Sequence, residues 1–156
     1  MSTNNINFKR TSSENKDFVD LVFSLDTYLS IINGEEDSFF KDFNKVEDLQ
    51  YVIVVYFNNI AVACGALKVY STNILEIKRM FVKPEFRGKN IAKSIISELE
   101  LWALELNYKY CILETSIKMK PAVNLYKSVG YLEMLKYGQY KEVETSICFK
   151  KELNKN

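Results

Sequence analysis

Apolar residues along this chain keep two rhythms, and the places where one gives way to the other divide it into elements. Phe18, Val22, Leu25, Leu29 and Ile32 recur at the spacing of one helix face, with Asp17 and Asp20 favouring its start and Gly34 suited to its end. Glu35, Glu36 and Asp37 then stand where the positive end of a second helix welcomes acids, and Phe39, Phe43 and Val46 supply its apolar face. Tyr51–Phe57 is a β-branched apolar run, Asn58-Asn59 is a turn pair able to reach positive φ, and Ile60–Tyr70 returns as the partner strand with Gly65 read as marking a bulge. Further strands are predicted at Ile6–Arg10, Ile74–Lys83, Tyr110–Thr115, Tyr131–Leu135 and Thr145–Lys150. A helix with the stripe Ile91, Ile95, Leu99, Trp102 and Leu106 ends near Asn107, and another runs between Pro121 and Gly130. The predicted order is β-α-α-β-β-β-α-β-α-β-β, an α/β chain of about seven strands and four helices.

One strand breaks its own rhythm. In Ile74–Lys83, Leu75 and Ile77 are apolar on one parity, Met80 and Val82 on the other. A period-two pattern changes face only when one residue is added, so a β-bulge is expected at Lys78-Arg79.

Composition narrows the classes. A chain of 156 residues, 47% apolar with ten Phe and ten Tyr, has enough apolar surface for one folded domain over residues 1–153, with 154–156 as a frayed tail. No apolar run reaches the ~18 residues of a membrane span, and Met1–Lys9 is too polar for a signal peptide, which points to a cytoplasmic protein. Cys64, Cys111 and Cys148 are odd in number and lie in apolar runs, which suits reduced thiols. With no histidine, a metal site is not expected, and acid–base chemistry falls to carboxylates, tyrosines or water. A net charge of +1 argues against nucleic acid as a partner. The charge is unevenly spread: residues 11–50 carry ten acids and three lysines, whereas Lys78 to Lys93 holds six Lys/Arg against one Glu. Either this asymmetry separates an anionic cofactor from a cationic substrate, or it reflects ordinary solvated helix faces.

The basic stretch contains Arg87-Gly88-Lys89-Asn90-Ile91-Ala92, a loop that opens a helix. The first N–H groups of a helix lack internal partners and the dipole adds positive potential, so such a loop suits an anion. It is neither a G-x-x-x-x-G-K-[ST] loop nor a G-x-G-x-x-G turn. It resembles instead the pyrophosphate loop [QR]-x-x-G-x-[GA] of the GNAT superfamily of N-acetyltransferases, with Arg87 opening it, Ala92 closing it and Asn90 replacing the central glycine. Asn visits left-handed φ more readily than most residues, which keeps that loop conformation accessible. Upstream, Glu76-Ile77-Lys78-Arg79-Met80-Phe81-Val82-Lys83-Pro84 is similar to the fourth strand of that fold. Downstream, Leu125-Tyr126-Lys127-Ser128-Val129-Gly130-Tyr131 is similar to its L-Y-x-x-x-G-[FY] signature.

The resemblance implies a single GNAT-type domain with a mixed, mostly antiparallel sheet, and transfer of an acetyl group from acetyl-CoA to a primary amine of a small molecule or amino acid. The rivals are a peptide or protein acetyltransferase acting on an N-terminus or lysine, and a CoA-binding module without turnover. It implies that Gly88 to Ala92 (Gly88, Lys89, Asn90, Ile91, Ala92) and Arg87 hold the phosphates, and that the backbone of Met80, Phe81 and Val82 receives the pantetheine and the acetyl carbonyl. Glu76 is implied as the base, through a water, with Glu114 as its rival and an ion pair with Lys78 or Arg79 as its structural alternative. Tyr126 is implied as the acid toward the CoA sulfur. Met119 stands where many relatives carry an asparagine that contacts the cofactor. The acceptor cleft is implied to draw on Tyr28, Glu35, Glu36, Phe39, Tyr137, Gln139 and Tyr140, carboxylates and aromatic walls suited to an amine. Oligomeric state is left open, a homodimer included.

Overall fold

In a computed structural model of the protein, which describes residues 5–33 and 49–154, seven strands hydrogen-bond in the order β1-β2-β3-β4-β5-β7-β6. They are β1 (Ile6–Thr11), β2 (Tyr51–Phe57), β3 (Ile60–Ser71), β4 (Ile74–Val82), β5 (Tyr110–Ser116), β6 (Leu132–Met134) and β7 (Ser146–Glu152). Pairing is antiparallel for β1–β2, β2–β3, β5–β7 and β6–β7, and parallel for β4–β5, so the sheet is mixed as expected. The helices are α1 (Lys16–Asn33), α2 (Ile91–Glu105) and α3 (Lys120–Ser128). The described residues therefore carry three α-helices where four were expected, in the order β-α-β-β-β-α-β-α-β-β. The helix expected to hold Glu35, Glu36 and Phe39 lies outside the described residues. Two single 3-10 turns, Pro84–Phe86 and Gly138–Tyr140, were not foreseen; one turn is too short to leave a periodic signal.

The chain gathers into two compact units, Met1–Lys68 with Lys78–Leu99, and Val69–Ile77 with Glu100–Asn156. In the first, Phe18, Leu21, Val22 and Leu25 of α1 share a core with Val52, Val54, Cys64, Ala66 and Phe81. Leu21 widens the predicted stripe to the broad apolar face of a helix lying on a sheet. The cap of α1 is Asn15, whose side-chain oxygen accepts the Phe18 N–H at 3.0 Å. Asn58 and Asn59 turn the β2–β3 hairpin with φ of 50° and 69°, as their residue types allow.

Gly65 does not mark a bulge. It pairs in regular register with Ile53, and the register shift falls instead between Val55 and Tyr56, which face Ala63 and Ala61 and leave Val62 extra. Gly65 is small because its surroundings are full: a Cβ there would stand 2.6 Å from Met80 Sδ and 2.8 Å from Ile95 Cγ2.

In the second unit α3 ends in a left-handed cap. Gly130 has φ 99°, its N–H bonds the Lys127 carbonyl, and the Tyr131 N–H returns to the Tyr126 carbonyl at 3.0 Å. The apolar contact that goes with such a cap joins the same two tyrosines, edge to face with ring centroids 5.8 Å apart. The spacing Tyr-x-x-x-Gly-Tyr is thus the local code for stopping this helix. Tyr131 is anchored in turn through its hydroxyl, which donates to Glu100 at 2.8 Å beside the Lys151–Glu100 ion pair of 2.9 Å.

Gly65→Ala should therefore destabilise the protein by about 1–3 kcal/mol, the usual range for overpacking, read from urea unfolding. Stability equal to the parent would show that Met80 and Ile95 yield the space without strain.

Candidate active site

Apart from Glu76, burial in β4 keeps to Leu75, Ile77, Arg79 and Phe81 rather than changing face as the phase slip implied, but the backbone is irregular at one of the two residues it singled out. Arg79 adopts φ 60° in mid-strand, a left-handed conformation uncommon outside glycine. Beyond the strand the Lys83 N–H is pinned to the Val62 carbonyl at 2.9 Å, and the Pro84–Phe86 turn delivers Arg87. Gly88 and Asn90 then both take left-handed backbone, φ 79° and 62°. Asn90 thus assumes the conformation expected of the glycine it replaces. The first backbone bond of α2 runs from the Ser94 N–H to the Asn90 carbonyl, 3.1 Å. The N–H groups from Gly88 to Lys93 find no acceptor among the described residues. They form a run of donors at the positive end of a helix, on an exposed loop that also displays Lys89. No described side chain competes with an incoming phosphate.

Arg87 is folded back rather than splayed. Its Nε donates to the Val82 carbonyl at 2.9 Å, and its guanidinium lies 5.1 Å from the Tyr28 ring centroid and 5.9 Å from that of Phe81. Tyr28, expected as an acceptor-cleft wall, is therefore a platform for the loop arginine. Phe81, expected at the pantetheine, buries its ring in the core, which leaves its backbone as the part able to meet a ligand. Ile91 is also buried, and Ala92 half-buried.

In the second unit, Glu76 is 6% exposed and accepts the Tyr137 hydroxyl at 2.6 Å. Glu76 is therefore not the solvent-facing residue of the alternative reading, and Arg79 pairs with Asp26 at 2.7 Å. Tyr137 and Tyr140 are buried as well, edge to face at 5.5 Å, and Tyr70 meets Tyr137 at 5.2 Å. Expected as aromatic walls of the acceptor cleft, Tyr137 and Tyr140 instead show little surface of their own. The Gly138–Tyr140 turn brings both phenols inward, and Gln139 between them is half-buried. Lys136 holds the following segment by donating to the Val143 and Glu144 carbonyls at 2.5 and 3.3 Å.

Burial and then the negative charge of Glu76 push the Tyr137 hydroxyl well above its ordinary value, so it stays a donor to the carboxylate. Tyr140 is raised by burial and by both Glu114 and Glu76. Glu114, half-buried on β5, accepts the Ser146 hydroxyl at 2.6 Å. Tyr126 is buried on the inner face of α3, raised by burial and by the Glu114 charge. Its hydroxyl has no hydrogen-bond partner among the described residues, where no fully buried side-chain polar atom goes unpaired. Met119 gives α3 no side-chain cap.

The Glu76–Tyr137 pair was missed because its members lie 61 residues apart. No spacing signals such a contact; an unpaired tyrosine in a loop was the one available hint.

A strand with left-handed backbone at Arg79 that runs into a helix-opening loop of free N–H groups is backbone suited to an anionic ligand. The chain belongs to the Acetyltransferase (GNAT) family, whose profile matches residues 19–131. It is 26% identical over 152 residues to the IAA acetyltransferase of Azospirillum brasilense, covering 96% of this chain and 99% of that one. An uncharacterized N-acetyltransferase of Dictyostelium discoideum is 44% identical over 64 residues, 41% of this chain but only 30% of its own length. In fold, the chain is similar to a Klebsiella pneumoniae protein provisionally named an acyl-CoA N-acyltransferase (TM-score 0.77, 22% identity, 96% and 98% covered). It is also similar to the PaiA N-acetyltransferase of Thermoplasma acidophilum, solved with coenzyme A (TM-score 0.70, 18% identity, 97% and 99% covered). Among the described residues no helix is long and apolar enough to cross a membrane.

Tyr126, Tyr131, Tyr137 and Tyr140 are all raised, chiefly by burial. Unfolded, they ionise at about pH 10; folded, they stay protonated, so the stability they carry is complete below that pH and lost as pH climbs past it. Melting temperature should fall above about pH 10, and a pH-jump titration should show these four phenols ionising only with unfolding. Ionisation of all ten tyrosines ahead of unfolding would contradict their burial.

Proposed function

We propose that the protein moves the acetyl group of acetyl-CoA to a primary amine of a small molecule or amino acid, by direct attack with both substrates bound. The observation that carries this reading is the buried Glu76 carboxylate, fixed by the Tyr137 hydroxyl at 2.6 Å in a chain without histidine. An alkylammonium of pKa ~10 is no nucleophile until it loses a proton. Glu76 takes that proton, directly or through a water, and its orientation is set by Tyr137 rather than by a mobile cation. Acetyl-CoA supplies the activated acetyl group. The Gly88–Ala92 amides, with Arg87 and Lys89, receive its phosphates, and the Met80–Val82 backbone receives its pantetheine. Tyr126, which burial keeps in its neutral form, is the hydrogen-bond donor to the departing sulfur, and the proton released by the amine neutralises the thiolate. A small acceptor is favoured because the relative matched along its whole length carries the name IAA acetyltransferase, although the acceptor is not fixed by fold.

Acetyl-CoA at about 100 times its dissociation constant should stabilise the fold by about 2.7 kcal/mol, seen as a raised melting temperature. Arg87→Ala together with Lys89→Ala should diminish the shift, and its absence from the parent protein at saturating cofactor would sink the reading. Tyr126→Phe should cut kcat by about 10²–10⁴-fold with little change in KM for acetyl-CoA; unchanged turnover would return this tyrosine to a packing role.

Glu76→Gln should keep cofactor binding, lower the rate near neutral pH and regain part of it in alkali, where more amine arrives unprotonated. Glu114→Gln should show neither effect. The reverse pattern would move the base to β5. A panel of amines, amino acids and short peptides assayed for CoA release separates the small-acceptor reading from a peptide or protein acceptor.

A further inference from the structure

We infer that Arg79 is a positioning residue for the pantetheine arm of the cofactor, acting through its ion pair with Asp26. This rests on the reading that the Met80–Val82 backbone receives that arm. Arg79 sits in mid-β4 at φ 60°, a conformation that glycine takes freely and residues with a Cβ take at a cost. An arginine kept there needs a hold, and two are visible. Its Nη1 donates to Asp26 Oδ1 at 2.7 Å, the Arg79 side chain being 3% exposed and that of Asp26, on α1, 39%. Its carbonyl accepts the Cys64 thiol on β3, with S···O 3.3 Å.

The two ends of one left-handed residue are thus tied to different elements. The residues that follow cannot set their own direction. Met80 projects toward Gly65, where even a methyl would meet its sulfur at 2.6 Å, and Phe81 buries its ring in the core. The peptide planes from Met80 to Val82 take their orientation from the φ of Arg79. The guanidinium is buried against α1, so its influence on a ligand runs through the backbone alone.

The pair is asymmetric, which makes it testable without unfolding the protein. Removing Arg79 leaves a carboxylate that water already reaches. Removing Asp26 strands a buried cation, the costlier change. Arg79→Gly is the informative variant, because glycine accepts φ 60° without strain while the tie to α1 is lost.

Titrations should compare acetyl-CoA with 3′,5′-ADP, the nucleotide end of CoA, which has no pantetheine. Arg79→Gly should weaken acetyl-CoA by about tenfold, the effect of one lost backbone hydrogen bond, and leave 3′,5′-ADP unchanged. Arg79→Lys should recover part of the loss, since an ammonium still pairs with Asp26 as a point charge. Asp26→Ala should melt below Arg79→Gly. Unchanged acetyl-CoA affinity in Arg79→Gly, or equal weakening of both ligands, would overturn the positioning role while leaving the cofactor reading intact. Failure of the parent protein to bind either ligand would overturn the cofactor reading itself, and this inference with it.

Discussion

Backbone that is held out of its ordinary hydrogen bonds is the constraint on which the proposed cofactor site depends. A strand or helix consumes its own N–H groups, so a chain that offers them to a ligand must break regular structure and keep the break in place. Three left-handed residues lie within a dozen positions here, Arg79, Gly88 and Asn90, the last two on the loop whose N–H groups lack acceptors among the described residues. Each is held differently. Gly88 needs no help, Asn90 tolerates the conformation by its chemistry, and Arg79 is held by its ion pair and by the Cys64 thiol. The core under α1 stabilises the surroundings that keep these conformations populated.

The proposed acid–base site is built from different material. Without histidine, the groups proposed for it in the second unit are carboxylates and phenols, and burial keeps the phenols protonated. Tyr137 stays protonated because an ionised phenol beside Glu76 would place two like charges in a poorly solvated site. Its hydroxyl therefore remains the donor to the Glu76 carboxylate. Tyr126 is held protonated by the same physics, with Glu114 as its neighbouring charge. The left-handed cap at Gly130 connects this chemistry to helix termination, since the two tyrosines that close the cap include the proposed hydrogen-bond donor to the sulfur.

Much of the fold was legible in the sequence because periodicity reports burial directly. The limits of β2 match the prediction, and the phase slip in β4 located an irregularity that the structure shows as the φ of Arg79. The left-handed backbone of the loop before α2 was legible for another reason: tolerance of that conformation is a local property of Gly88 and Asn90. Gly65 was misread because a lone glycine in a strand signals either a bulge or a close approach, and only the packing of Met80 and Ile95 distinguishes them. Contacts across long stretches of chain were not legible at all. Asp26 with Arg79, Tyr28 with Arg87 and Glu76 with Tyr137 leave no spacing signature, yet each decides what its residue is able to do.

Amide hydrogen exchange with and without acetyl-CoA tests the central claim most directly. If free backbone donors bind the cofactor, the amides from Gly88 to Lys93 should exchange rapidly in the unliganded protein and become protected on binding, beyond any change at the exposed β1 edge. Protection confined to lysine-rich surface elsewhere, with these amides unaltered, would contradict the account.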